Sequence, residues 1–279
     1  MSQAEYVQQL IELGEKIHCY KNVWWLEVKP FYYWPIDLFQ PLSAPYAKAN
    51  PCQALVGYEY LTNTPSQANS RLLMMSLEDP SSYQLEKLCP KKRNQIKRGL
   101  EAIDVKPITD QKQFIKQGYQ INLSALKRQG RKPAIAKLYT SPTQWQHRIS
   151  KLFPLKDREI WGAYFKKQLV AYIRTLKIEK TIFITNAMSH SDYLSYYPND
   201  ALIYTYLKHQ KENNRQLKRI VFGLFCNKPT LNKFKQQLGF QKTAYPLFRW
   251  VNPLIKPLIR FTKYRHYFYV NDQKSEPSF

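Results

Sequence analysis

The chain has 279 residues, room for one large domain or two ordinary ones, and with 44% hydrophobic and 15% aromatic residues it has ample material for a core. Lys and Arg number 43 against 20 Asp and Glu, a formal charge of +23 that suits RNA, anionic lipid, or an acidic or phosphorylated carrier as partner. A basic proteome would give the same balance, so charge alone does not choose.

No apolar run approaches the length of a membrane span, and the N-terminal MSQAEYVQQLIELGEK, with early acids, does not read as a signal peptide. Cys19, Cys52, Cys89 and Cys226 form no C-x-x-C pair and have no histidine at ligand spacing. They read as reduced, mostly buried thiols of a cytoplasmic protein, and neither a metal site nor a disulfide frame is expected.

Residues 3–17 predict an amphipathic helix with Tyr6, Leu10, Leu13 and Ile17 on one side. The aromatic segment 23–60, with Pro30, Pro35, Pro41, Pro45 and Pro51, suits strands and extended loops. RLLMMSL (71–77) reads as a buried strand, the stretch from Pro80 to Leu100 as helical, and IDVKPI (103–108) as another strand. Helical patterns follow at 110–127 and 133–153, joined by the basic turn KRQGRKP (127–133).

REIWGAYF (158–165), LVAYIRTLKI (169–178) and TIFITNAM (181–188) are β-rich apolar runs separated by KKQ and EK, the pattern of an antiparallel meander. A helix is expected at 200–213 with Asn199 as N-cap, then a strand at 219–225 and a helix over Leu231–Leu238 ended by Gly239. A last strand covers 241–251. On the Leu231–Leu238 helix, Leu231, Phe234 and Leu238 form the apolar stripe, and Lys235 falls on or beside it. A lysine there either snorkels outward or meets something anionic.

The order βββ-α-β-α-β over about 155–251 resembles the GNAT acyltransferase domain, and more closely its FemAB-type branch. The likeness rests on WGAYFKKQLVAYI, on the helix start after YYPND, and on FGLFCN followed by LNKFKQQLGF. Upstream, CPKKRNQIKRGLEAIDV (89–105) is similar to a basic segment of the same branch. The resemblance implies an α+β fold of two fused GNAT-like halves, each a mixed central sheet flanked by helices. The N-terminal half would cover 1–150 and the C-terminal half 151–270, with a disordered tail at 271–279. It further implies acyl or aminoacyl transfer from an activated ester to an amine. The donor would be a co-substrate rather than a permanently bound cofactor: aminoacyl-tRNA, an acyl carrier protein or acyl-coenzyme A.

By that resemblance Lys235 stands where the branch carries its active-site lysine, poised to stabilise the oxyanion of ester aminolysis. Glu159 and Asp200 are the carboxylates near the implied cleft. Either could relay a proton through water, or simply be a strand-end and a helix-start charge. Asn186, in a third strand with no carboxylate, faces the strand of Phe222 across the cleft, and Tyr196, Tyr197 and Asn199 lie at its mouth. Lys92, Arg93, Asn94, Lys97 and Arg98 in the KKRNQIKR cluster gain a substrate-side role, or form a solvated face. The loop 189–202 has no glycine and carries Asp192 and Asp200, a poor cradle for the pyrophosphate of coenzyme A.

Two other readings stand: a non-catalytic GNAT-like module that binds RNA or membrane, and an N-acetyltransferase using acetyl-coenzyme A through an altered loop. The stretch WVNPLIKPLIRFTKYRHYF (250–268) mixes apolar residues, prolines and cations. It suits either peripheral contact with an anionic inner-membrane face or an element closing the C-terminal half. If the basic clusters bind polyanions, the logarithm of tRNA affinity falls linearly with the logarithm of salt concentration. A filter-binding titration from 50 to 200 mM salt (about a fourfold range) checks this; a flat profile removes the polyanion partner.

Overall fold

Apolar runs too short to stand alone as helices, separated by two- and three-residue polar breaks, fold back on one another as strands. In this computed structural model, residues 2–37, 39–43, 49–50, 52–130, 139, 141–226 and 228–259 are described. The chain divides into two compact units. One comprises Met1–Met74, Leu224–Pro229 and Lys242–Phe279; the other comprises Met75–Gly223 and Thr230–Gln241. Each carries a mixed sheet flanked by helix, as the α+β expectation requires.

In the first unit, helix α1 (Gln3–Glu12) starts at a capping box, where the Ser2 hydroxyl accepts from the Glu5 amide and Glu5 accepts from the Ser2 amide. It buries Tyr6, Val7 and Leu10 and stops well before residue 17, because Gly14 turns to φ +77°. Ile17 instead opens strand β1 (Ile17–Tyr20), which pairs antiparallel with β2 (Val23–Lys29). Lys21 and Asn22 both take positive φ in this two-residue hairpin turn, matching the twist of the strands. β3 (Tyr32–Pro35) is antiparallel to β2 and parallel to β4 (Gly57–Leu61). β4 in turn is antiparallel to the late strand β11 (Gln241–Val251). Trp25, Tyr33, Tyr58 and Tyr60 form the core here, with Trp250 stacked on Tyr58. Glu59, buried in β4, accepts from Tyr32 Oη and Arg249 Nε, both at 2.7 Å.

β5 (Ser70–Leu77) leads from the first unit into the second. The stretch after Pro80 is helical only in short 3-10 turns at Pro80–Ser82 and Leu85–Lys87 until α2 begins (Pro90–Ala102). Then come β6 (Asp104–Pro107), α3 (Gln111–Arg128) and α4 (Pro142–Leu152). The meander follows as β7 (Ile160–Phe165), β8 (Gln168–Ile178) and β9 (Thr181–Ser189). β6, β7, β8 and β9 pair antiparallel in that order. α5 (Pro198–Asn213) leads to β10 (Arg219–Leu224), which runs parallel to β9, and α6 (Pro229–Gln237) follows.

Successive strand residues face opposite sides of the sheet, so Tyr172 and Ile173 see different neighbours. Tyr172 joins Phe114, Ile121, Ala125, Trp145 and Ile149 from α3 and α4. On the other side, Trp161, the cross-strand partner of Ile173, meets Tyr206 of α5 edge-on.

Several local expectations are corrected. The N-cap of α5 is Tyr197, at φ +52° with no side-chain cap bond, while Asn199 lies inside the first turn. Cys19, Cys52 and Cys89 are exposed rather than buried, and Cys226 is intermediate. Leu100, which the helical spacing from Ile96 places inward, is 41% exposed, and α2 buries Gly99 with Ile96. Pro45, Pro51, residues 131–133 of the basic turn, the first part of the 133–153 helical stretch, residues 260–268 and the tail 271–279 lie outside the described residues.

Gly99 allows α2 and α5 to touch. A Cβ at that position would sit 3.1 Å from the Ala201 Cβ and 3.1 Å from the Tyr197 carbonyl oxygen. Gly99→Val is therefore expected to destabilise the protein by roughly 1–3 kcal/mol, read as a shift of the urea midpoint with an unchanged m-value; a neutral result would mean that the two helices separate freely.

Candidate active site

β10 pairs with β9 at only three positions, Arg219–Val221 against Thr181–Phe183. Beyond them β9 runs on to Ser189 while β10 ends at Leu224, so the two strands part. A register shift between β8 and β9 leaves Thr185 as the extra residue and sets Asn186 opposite Arg174. Past Val221 and Phe183 the two strands are no longer paired.

α6 carries Lys235 against β10. Its buried positions are Asn232 and Lys235, followed by Leu238, whereas Leu231, assigned to the apolar stripe on sequence, is 40% exposed. The helix is rotated from the expected phase, and Lys235 is buried to 5% exposure. Its Nζ lies 5.0 Å from the centroid of the Phe222 ring. The same Nζ is 3.9 Å from where a Cβ on Gly223 would project, and Gly223 takes φ +67°. The left-handed backbone favours glycine there, while a side chain would meet the ammonium only at ordinary contact distance.

Asp200 and Lys92 form a second buried arrangement. The Lys92 ammonium donates to Asp200 Oδ1 in an ion pair between α2 and α5, with Lys92 only 3% exposed. Lys92 also sits 4.9 Å from the ring centroid of Phe234, the residue before Lys235. Lys92, grouped on sequence with surface cations, is thus committed to an internal carboxylate. Burial pushes the Asp200 carboxyl above its ordinary range, opposed by the hydrogen bond and charge of Lys92. Of the rest of that cluster, Asn94, Lys97 and Arg98 are exposed and Arg93 is half-buried, 3.4 Å from the Glu86 carbonyl. Arg98 lies over the Tyr197 ring at 5.4 Å.

Glu159 does not join Asp200. Its Oε2 accepts from Trp161 Nε1 at 3.0 Å and from Gln210 Nε2 at 3.1 Å. Gln210 is ten residues beyond Asp200 on α5, about 15 Å along the axis. The two carboxylates therefore cannot serve one reacting atom. Glu159 instead borders a separate cavity of about 290 Å³ with Phe153, Arg158, Trp161 and His209.

Asn186 donates to the Tyr139 hydroxyl at 2.9 Å, and Arg174 donates to the same hydroxyl at 3.3 Å. Asn199 donates to Ser189 Oγ at 3.1 Å, and Arg128 ties the Ser189 carbonyl and Ser191 Oγ at 3.1 Å each. Tyr196 is exposed and tilts against Phe165 at 4.4 Å between ring centroids. Arg174 and Tyr139 were missed on sequence; the available signal was a lone arginine inside the apolar run LVAYIRTLKI. Among the described residues no group of three His, Cys, Asp or Glu could hold a metal ion, and no helix is long and apolar enough to cross a membrane.

Solved structures match this fold along nearly the whole chain. The crystal structure of FemX superposes with a TM-score of 0.60 at 9% identity, over 92% of each chain. The fold is shared with FemX. A C-terminal domain of a putative lysylphosphatidylglycerol synthetase from Agrobacterium fabrum matches at TM-score 0.58 and 11% identity, over 94% of this chain and 96% of that one. L-PGS from Bacillus licheniformis matches at TM-score 0.55 and 12% identity, over 94% and 95%. The FemAB-like resemblance of the motifs thus has a counterpart in backbone geometry at identities of 9–12%. No family model matches the sequence, and no curated protein matches it significantly.

Removing one member of the Lys92–Asp200 pair leaves the other charge buried. Asp200→Ala is expected to cost roughly 3–5 kcal/mol at pH 7, and Lys92→Met with Asp200→Leu markedly less. Chemical denaturation of both variants checks this. Because the folded pKa of Asp200 is raised, the folded state holds this proton over a window starting at the ordinary aspartate value. The group's contribution to stability therefore declines as pH rises through that window. Asp200→Asn should remove that slope from the stability–pH profile.

Proposed function

We propose that the protein transfers an acyl or aminoacyl group from an activated ester to an amine, with Lys235 as the cation beside the reacting carbonyl. The observation that carries this reading is the buried Lys235 ammonium over Phe222, at the strand from which β9 parts. The fold shared with FemX and the two lysylphosphatidylglycerol-synthetase structures supports it. The amine nitrogen attacks the carbonyl carbon, a C–N bond forms, and the carbonyl oxygen becomes an oxyanion. Collapse breaks the bond to the leaving oxygen or sulfur, which takes up the proton the amine gives up. A fixed ammonium in a site poor in water favours the oxyanion over the uncharged ground state. Asp200 is engaged by Lys92 and Glu159 lies at the far end of α5, so the reading rests on positioning and electrostatics rather than on a dedicated carboxylate base.

The donor we assign is an aminoacyl-tRNA or an acyl group on a carrier protein. Coenzyme A fits less well: the N-terminus of α5 begins at Pro198, holds the Asp200 carboxylate in its first turn, and has α2 packed on Tyr197 and Ala201. A pyrophosphate there would meet a carboxylate and a neighbouring helix instead of open amides. Exposed Lys97 and Arg98 on α2, and Lys127 at the end of α3, suit a polyanionic donor. The name of one neighbour, a putative lysylphosphatidylglycerol synthetase, extends the acceptor class to a group carried on a lipid. A cytoplasmic enzyme working at the inner membrane face fits both classes.

Thermal shift with charged tRNA, acyl carrier protein and acetyl-coenzyme A at two salt levels tests the donor; tight coenzyme A binding without preference for tRNA would sink the assignment. With the preferred donor, Lys235→Ala is expected to lower kcat by about 10²–10³ with the fold intact. Unchanged turnover would remove Lys235 from the site, and no turnover in the wild type with any donor would favour a binding module.

A further inference from the structure

We propose that Arg174 anchors an oxyanion-binding subsite on the α3-facing side of β8 and β9, built to take a carboxylate or phosphate group of a ligand. Arg174 is 8% exposed in the middle of β8. Its guanidinium lies 5.9 Å from the Trp145 ring and donates to the neutral Tyr139 hydroxyl, while its Nε has no partner. A buried guanidinium is ordinarily matched by a carboxylate. Among the described residues Arg174 forms no ion pair with a carboxylate: α3, α4, β7, β8 and β9 contain no Asp or Glu, whereas α3 and α4 carry Lys112, Lys116, Lys127, Arg128, Arg148 and Lys151. Glu159, next to the Ile160 that pairs with Arg174, is turned to the α5 side, where Trp161 and Gln210 hold it.

The neighbouring groups point the same way. Tyr139 Oη accepts from both Arg174 and Asn186, so its own proton is left to donate. Asn122, fully buried on α3, accepts from Tyr172 Oη and leaves its Nδ2 unpartnered. Asn186 Oδ1 is buried and unpartnered as well. The cluster therefore offers a guanidinium, a hydroxyl proton and an amide donor, plus one acceptor suited to an N–H or O–H beside the anion. A carboxylate or phosphate oxygen set matches the planar guanidinium fork. Asn186 is on β9, three residues past Phe183, the last one paired with β10. The proposal rests on the acyl-transfer reading only for which substrate carries the anion.

The test needs no turnover. Acetate and inorganic phosphate are titrated calorimetrically against the wild-type protein, Arg174→Met and Asn186→Asp, alongside the melting temperature of each without added anion. Saturable binding of at least one anion is expected for the wild type, weakened at least about tenfold in Arg174→Met; which anion binds tells carboxylate from phosphate. Both variants should melt about 2–4 °C higher than the wild type, one by removing an unmatched charge and the other by supplying its counter-ion. Asn186→Asp should also abolish anion binding. No binding to the wild type, equal affinities in Arg174→Met, or a lower melting temperature in both variants overturns the subsite. Loss of acyl transfer with these results intact would count against the enzymatic reading alone.

Discussion

A lysine and an aspartate buried against each other between two helices organise this site. The Lys92–Asp200 pair joins α2 to the first turn of α5, where Gly99 lets the helices approach. Two charges are held out of water there, and each makes the other tolerable; neither element could present its charge alone without a large desolvation penalty. The pair also directs what lies around it. It places a carboxylate at the helix start where an anionic ligand would otherwise find free amides. It also places the Lys92 cation on the face of Phe234, one residue before Lys235.

The second buried lysine follows different rules. Lys235 lies on an aromatic face, with Gly223 of β10 next to it. An ammonium so placed has lost most of its water and interacts more strongly with any charge that forms nearby, the condition that favours a developing oxyanion. β9 and β10 are paired only as far as Phe183 and Val221, next to the Phe222 ring that Lys235 covers. On the far side of the sheet from α5, Arg174 presents another largely desolvated cation on elements that hold no acid. The net charge of +23 is therefore not only a surface property: three of its members, Lys92, Arg174 and Lys235, are turned inward.

Much of the element order was legible because strands announce themselves locally. The runs at 158–165, 169–178 and 181–188 alternate or stay apolar between short polar breaks, and they appear at 160–165, 168–178 and 181–189. Helix phase was less legible. Leu231, Phe234 and Leu238 satisfy the spacing rule, yet packing turns Asn232 and Lys235 inward, because an aromatic face can accept a cation that a hydropathy count assigns to water. The same limit hid Lys92 among surface cations and led to Asn199 rather than Tyr197 as a cap, since Pro198 already starts the helix.

By itself the sequence determined the succession of strands and helices, the excess of positive charge, and the place of a lysine near the buried side of the last helix before the final strand. These follow from local periodicity and composition, which act over a few residues. Only the tertiary structure decided which cations are desolvated, that Asp200 belongs to Lys92 and Glu159 to the opposite end of α5, and that Arg174 meets the Tyr139 hydroxyl. Each of these depends on residues up to 108 positions apart being brought within hydrogen-bond reach, and no local pattern encodes such a meeting.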